Sequence, residues 1–369
     1  MSGRKRDMLK TTTRTALAGG LAVGSALAMA LPQAADAETF TLRIGSGHPS
    51  GPSVYVNLVE TFFVPEVTER VANETDHEIN FIEGYDGTMA GVSETLEAVR
   101  SGLLDIGAFC FCFEPSDLFL HNFPYFMPFG PQDSTTAMEI TRAVYDANPW
   151  LTEVFEQNHN QILLGLSGWD NYHLGTTDPW QEVGDLEGVR VGGAGPNLPW
   201  LEYAGAVPVQ STLPDGYMNL QTGVYNGWLM FPSAYLGFSF YEPAPHYTLI
   251  GFGAMMVNGL TMNMDTLERL PEDVRQIIIE VGRDYEARSG PALDAQQEAG
   301  LAGLEEEGAQ IRELPAETRA AWAESLAAFP QEQLEEAERR GLPGREIMQS
   351  YLDIAAEHGI DWLHDYDLD

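Results

Sequence analysis

The chain is poor in basic side chains: 19 lysines and arginines face 55 aspartates and glutamates, a formal net charge of −36 over 369 residues. No lysine follows Lys10. A surface this acidic repels phosphate groups, which excludes nucleic acid and anionic lipid as partners. A cation-binding surface is one reading of the acidity, and hydration in concentrated salt is the favoured one. At molar salt the Debye length falls to about 3 Å and the self-repulsion is tolerable, so a halophilic source is expected. Cysteine is nearly absent too, with only Cys110 and Cys112. At i and i+2 of an alternating strand they share a face without good bridging geometry. Two buried free thiols are therefore expected rather than a bridge, and a bridge rather than a metal site.

Other absences narrow the function. After the first thirty-odd residues no apolar run is long enough to span a bilayer. There is no G-x-S-x-G elbow, no H-E-x-x-H, no P-loop and no G-x-G-x-x-G opening a helix. The eight histidines form no ligand-spaced pair. A protein that is not an enzyme, with no cofactor and no metal, is the expectation, and a secreted hydrolase or lyase is the alternative.

What is present begins with an export leader. Arg4, Lys5, Arg6 and Lys10 precede an apolar stretch from Ala16 to Leu31, and Ala35-Asp36-Ala37 supplies an A-x-A cleavage signal. Residues 1–37 read as a signal peptide and the mature chain as periplasmic. Lys5 and Arg6 resemble a twin-arginine signal, although general secretion is favoured. From Phe40 onward strand, helix, strand, helix, strand alternate as far as Phe113, an open α/β lobe. A local pattern then repeats: Val99–Gly107 and Leu220–Gly227 each read as a helix end, a glycine stop and a strand. Two such lobes facing each other make a cleft beyond the carboxyl ends of their strands. The predicted fold is α/β and two-lobed, with C-terminal helices. Residues 38–170 with 250–290 form one lobe, and 171–249 with 291–369 the other. Gly168–His173 is the first crossover, the stretch from Tyr247 to Met264 returns, and a helix opened by Pro271 is expected to end at Gly290.

Four blocks carry a resemblance: GYDGTMAGVSETLEAVRSGLLDIGAF at Gly84–Phe109, LEGVRV at Leu186–Val191, LQTGVYNG at Leu220–Gly227, and LERLPEDVRQIIIEVG at Leu267–Gly282. Together they resemble the substrate-binding proteins of tripartite ATP-independent periplasmic (TRAP) transporters. The resemblance implies a type II periplasmic-binding-protein fold, an organic carboxylate in the interlobe cleft, and two membrane partners forming a sodium-coupled permease. By that resemblance Arg190 is the carboxylate clamp, a role its bidentate fork suits. An interlobe ion pair is the competing role. His173 stands where the family has a second arginine, and Trp228 to Pro232 replaces a polar block. These departures point to a monocarboxylate with an apolar, aromatic or 2-oxo body. His173 either donates to the ligand or satisfies a buried network. His48 leans toward the cleft, Tyr85, Trp169, Phe111, Trp228 and Phe231 are candidate walls, and Glu114 follows the third strand. A monomer is expected.

Overall fold

The computed structural model describes residues 37–364, 366 and 368. The leader, apart from Ala37, lies outside the described residues. Among them eleven strands run in the order β1 (Thr39–Gly45), β2 (Glu78–Gly84), β3 (Ile106–Cys110), β4 (Gln161–Trp169), β5 (His173–Thr176), β6 (Arg190–Gly193), β7 (Val207–Gln210), β8 (Gly227–Met230), β9 (His246–Leu249), β10 (Met255–Asn263) and β11 (Gln310–Glu313). They form two sheets, β2-β1-β3-β10-β4 and β11-β9-β5-β8-β6-β7, so the chain has the two-lobed α/β fold. The most apolar strands take central places, as expected of segments covered on both faces. Thus β3 and β10 are buried at every residue. Within each sheet one strand runs against its neighbours. β10 is antiparallel to β3 and β4, and β5 is antiparallel to β8 and β9.

That inversion comes from two crossings between the sheets, and the crossings are tied together. The Tyr172 backbone N–H donates to the Gly253 carbonyl and that of Phe252 to the Tyr172 carbonyl, each at 3.2 Å. The Gly253 N–H donates to the Asn171 side chain at 2.9 Å. The repeated pattern also holds: the helices Thr95–Arg100 and Leu213–Gln221 stop at Gly102 and Gly223, with φ of +73° and +71°, and lead into β3 and β8. A left-handed residue after the last turn satisfies open carbonyls, and glycine adopts it without a Cβ clash.

Three expectations are corrected. The helix predicted to stop at Gly290 runs from Glu272 to Glu306 with Pro291 inside it. An internal proline costs about 3 kcal/mol in helix propensity, but this helix packs on β4 and on the helices Ser134–Ala147 and Pro232–Gly237. It buries Val281, Tyr285, Leu293 and Leu304. Beyond the proline, Asp294 accepts from the backbone N–H groups of Ser134 and Thr135 at 2.6 and 3.1 Å, which caps the neighbouring helix. Tertiary burial thus outweighs the local breaker. Second, the helix Gly344–Glu357 packs on Ser134–Ala147, so the closing segment does not all belong with 171–249. Third, Cys110 and Cys112 are disulfide-bonded, with Cα atoms 5.1 Å apart. The strand ends at Cys110 and the chain tightens into a 3-10 turn at Phe111–Phe113, so the extended geometry assumed for free thiols does not exist there.

Candidate functional site

Strand ends from both sheets converge on one half-open cavity of about 40 Å³. β1 leads to His48, β3 to Cys112 and Phe113, β4 ends on Trp169, β6 leads to Ala194 and Asn197, and β8 leads to Phe231. All of these are carboxyl ends of strands, where an open α/β sheet places its ligand. The walls are aromatic. Trp169 stacks on Phe231 with ring centroids 5.0 Å apart, and Tyr172 meets the edge of Phe231 at 5.2 Å. His48 sits edge-on to Trp169 at 5.6 Å.

Several polar groups face this apolar lining. The hydroxyls of Tyr125 and Tyr172 satisfy each other at 2.9 Å, and burial raises both phenol pKa values, so both stay as neutral O–H groups. His48 Nδ1 pairs with the Tyr55 hydroxyl at 2.8 Å. Burial pushes its pKa down to about 4, which leaves the ring uncharged at neutral pH. Two further groups have no partner among the described residues: the Trp228 indole N–H and the Asn197 side-chain oxygen, on residues 0% and 2% exposed. Buried polar atoms are rarely left unpaired, so both are available to a ligand. No Asp, Glu, Lys or Arg lines the cavity.

The glycines ending β6 explain how Trp228 fits. A Cβ at Gly192 would lie 2.5 Å from the Trp228 ring, and one at Gly193 would lie 3.5 Å from the Asn197 Oδ1. The register pairs Gly192 with Trp228. A side chain on that strand end and a tryptophan on the next strand are mutually exclusive.

Residues 61–337 match the model of the bacterial extracellular solute-binding proteins, family 7. The chain belongs to this family, the solute-binding proteins of TRAP transporters. A solute-binding protein of Sulfitobacter sp. (strain NAS-14.1) is 27% identical over 138 residues, 37% of this chain, and the chain spans only 41% of that relative's length. Solved TRAP solute-binding proteins share the fold. One from Rhodoferax ferrireducens, in complex with copurified benzoate, matches with TM-score 0.76 and 18% identity over 86% of this chain and 98% of its own. One from Bordetella bronchiseptica, with bound (R)- and (S)-mandelate, gives 0.74 and 21% over 86% and 99%. One from Sulfitobacter sp. NAS-14.1, with bound β-D-galacturonate, gives 0.72 and 18% over 85% and 99%.

Of the nine residues expected at the site of this TRAP protein, the structure brings His48, Trp169, Trp228 and Phe231 together at the cavity. The other five lie elsewhere. Arg190 is the first residue of β6, exposed, at the strand end opposite the cavity. Its Nη2 donates to the Gly223 carbonyl at 2.7 Å, just past the end of the helix Leu213–Gln221. His173 Nδ1 accepts from the backbone N–H groups of Ile250 and Gly251, both at 3.1 Å. Burial, helped by the charge of Arg319, lowers its pKa to about 3. It is therefore a neutral ring fastening the return crossing. Phe111 is a core residue packed on Phe109, His121 and Phe155. The Tyr85 hydroxyl donates to Glu83 at 2.7 Å. Glu114 is half-buried and its pKa is raised to about 7, chiefly by burial and then by nearby acids, but it does not line the cavity. Sequence reasoning missed Tyr125, Tyr172, Asn197 and the Leu213, Leu229 and Met230 side chains. Asn197 alone carried a usable signal, a polar residue just after the glycines closing a strand.

Proposed function

We propose that this chain is a periplasmic receptor that closes two lobes over a small organic solute with an apolar or aromatic body. It then delivers that solute to the membrane subunits of a sodium-coupled TRAP permease. The carrying observation is the cavity: aromatic walls from both lobes, at strand ends, in a member of a solute-binding family. Differential affinity for the closed arrangement would drive closure. The cavity is small beside the roughly 150 Å³ that takes up a benzene ring, so a ring-sized solute requires the lobes to part further. Monocarboxylates with apolar, aromatic or 2-oxo bodies are the first class to screen, since benzoate and mandelate occupy relatives of this fold. With Arg190 at the far end of its strand, their carboxyl group would have to be held by neutral donors. A monomer exported from a halophilic cell completes the reading, and the acidic composition supports the salt preference.

The test is a thermal-shift screen of the mature protein in molar salt over mono-, di-, 2-oxo and aromatic acids with their neutral analogues. A concentration-dependent rise in Tm without turnover supports the receptor. Turnover, or no shift from any compound, removes it.

A further inference from the structure

The cavity combines three features that bear on the ligand's polar end. It is lined by no charged side chain, its one histidine is held neutral by burial, and two buried polar groups lack partners, the Trp228 N–H and the Asn197 oxygen. A carboxylate moved from water into such a site loses its hydration and meets no countercharge. Among the described residues no arginine lines the cavity to supply one. Arg190 is turned to the Gly223 carbonyl. Arg340 lies in the groove behind the Cys112 and Gly195 wall, where it binds the Glu336 carboxylate at 2.6 Å, donates to the Pro115 carbonyl and lies over the Phe119 ring. Nor can the strand end nearest the cavity carry a cation, because the Trp228 ring occupies the space a side chain at Gly192 would need.

Resting on the receptor reading above, we propose that this cavity selects solutes whose polar end is uncharged and carries both an acceptor and a donor. The acceptor takes the Trp228 indole N–H, and the donor reaches the Asn197 Oδ1. A carboxamide, or a carbonyl with a neighbouring hydroxyl, meets both demands on one small head group, while a carboxylate meets only the first. The aromatic walls then hold the apolar remainder.

Two isosteric pairs test this by titration calorimetry on the mature protein in molar salt: propionamide against propionate, and benzamide against benzoate. The amide of a pair is expected to bind at least about tenfold tighter than its acid, the scale of one well-placed buried hydrogen bond. Trp228→Phe, which keeps a ring but removes the N–H, is expected to weaken the amide about tenfold. It should weaken the acid by a similar factor, because both head groups accept that N–H. Asn197→Leu removes the acceptor only the amide can use, so it should collapse the amide-to-acid ratio, a change that altered packing alone would not produce. The melting curve of each variant checks that it is folded. Tighter binding of the acid, or silence from both pairs, overturns the uncharged head group. Amide binding that Trp228→Phe leaves unchanged overturns the assignment to Trp228, and an amide preference that survives Asn197→Leu overturns the assignment to Asn197. The receptor reading fails separately, only if the broad acid and neutral screen also produces no shift.

Discussion

The two ends of β6, a strand of four residues, are chemically opposite. At its start Arg190 is solvated and hydrogen-bonded to a helix-terminal carbonyl. At its other end lie Gly192 and Gly193, followed by Ala194 and Asn197, where charge is absent and a Cβ at Gly192 would be crowded out by Trp228. The same division runs through the molecule. Histidines near the crossings are held neutral by burial, as His48 and His173 show, while Arg190 stays exposed. Arg319 is the arginine that reaches a crossing, where it donates to the Ile250 and Gly251 carbonyls. An arginine in a strand is thus no evidence of a charged site unless the strand's direction places it at the carboxyl end.

The largest test of this division is Asp170, next to Trp169 at the first crossing. It is fully buried and accepts from the Ser233 hydroxyl at 2.9 Å. Burial pushes its pKa up from 3.8 to about 7, against the lowering effect of the Ser233 hydrogen bond. Because the folded state retains the proton longer than the unfolded state, the contribution of Asp170 to stability is greatest below about pH 4. It declines as pH rises and levels off above about pH 7. Asp170→Asn keeps an acceptor for Ser233 and cannot ionise. Its stability relative to wild type should therefore climb between pH 4 and 8, by up to about 4 kcal/mol at 1.36 kcal/mol per pH unit. Urea denaturation at pH 4, 6 and 8 measures it. A difference that stays constant with pH would show that the interior tolerates the charge, and the contrast with the surface would weaken.

Gly192→Val comes next. The new Cβ would sit 2.5 Å from the Trp228 ring, and overpacking of a filled core costs roughly 1–3 kcal/mol. Binding should fall with it, because Trp228 must move. The double variant Gly192→Val with Trp228→Ala should recover part of the lost stability. If the two losses simply add, Gly192 and Trp228 do not compete for the same space.

The frame of the fold was legible because its signals are local. Runs such as Ile106–Cys110 are apolar throughout, and glycine stops precede β3 and β8, so these strands and the turns before them follow from period and punctuation. The aromatics of the cavity were half legible: Trp169 and Phe231 sit at strand ends, whereas Tyr125 lies in the short helix Phe123–Phe126, where it packs against Trp200. Pro291 misled for the complementary reason, since a local breaker was overridden by burial over a 35-residue helix. The bridge between Cys110 and Cys112 was hidden by the assumption that the strand continues past Cys110. Arg190 was misplaced through register. The strand was recognised, but which of its ends faces the other lobe depends on the parallel pairing of β6 with β7 and β8, and that pairing is not written in six residues.

The smallest expected effect is also the one that bears most directly on the contrast between the two ends of β6. If Arg190 only bonds the Gly223 carbonyl just past the helix Leu213–Gln221, Arg190→Ala removes one exposed hydrogen bond to a carbonyl near the negative end of a helix dipole. It should cost about 0.3–1 kcal/mol of stability and leave solute affinity unchanged within error. Were Arg190 instead to clamp a carboxylate, its removal would cost about 2–5 kcal/mol of binding, a loss of at least thirtyfold. The two outcomes differ so widely that a single calorimetric titration of the variant, with any solute the wild type binds, separates them. Retained affinity would place recognition at the glycine end of the strand, whereas a large loss would require the lobes to reorganise so that the opposite end of β6 meets the ligand.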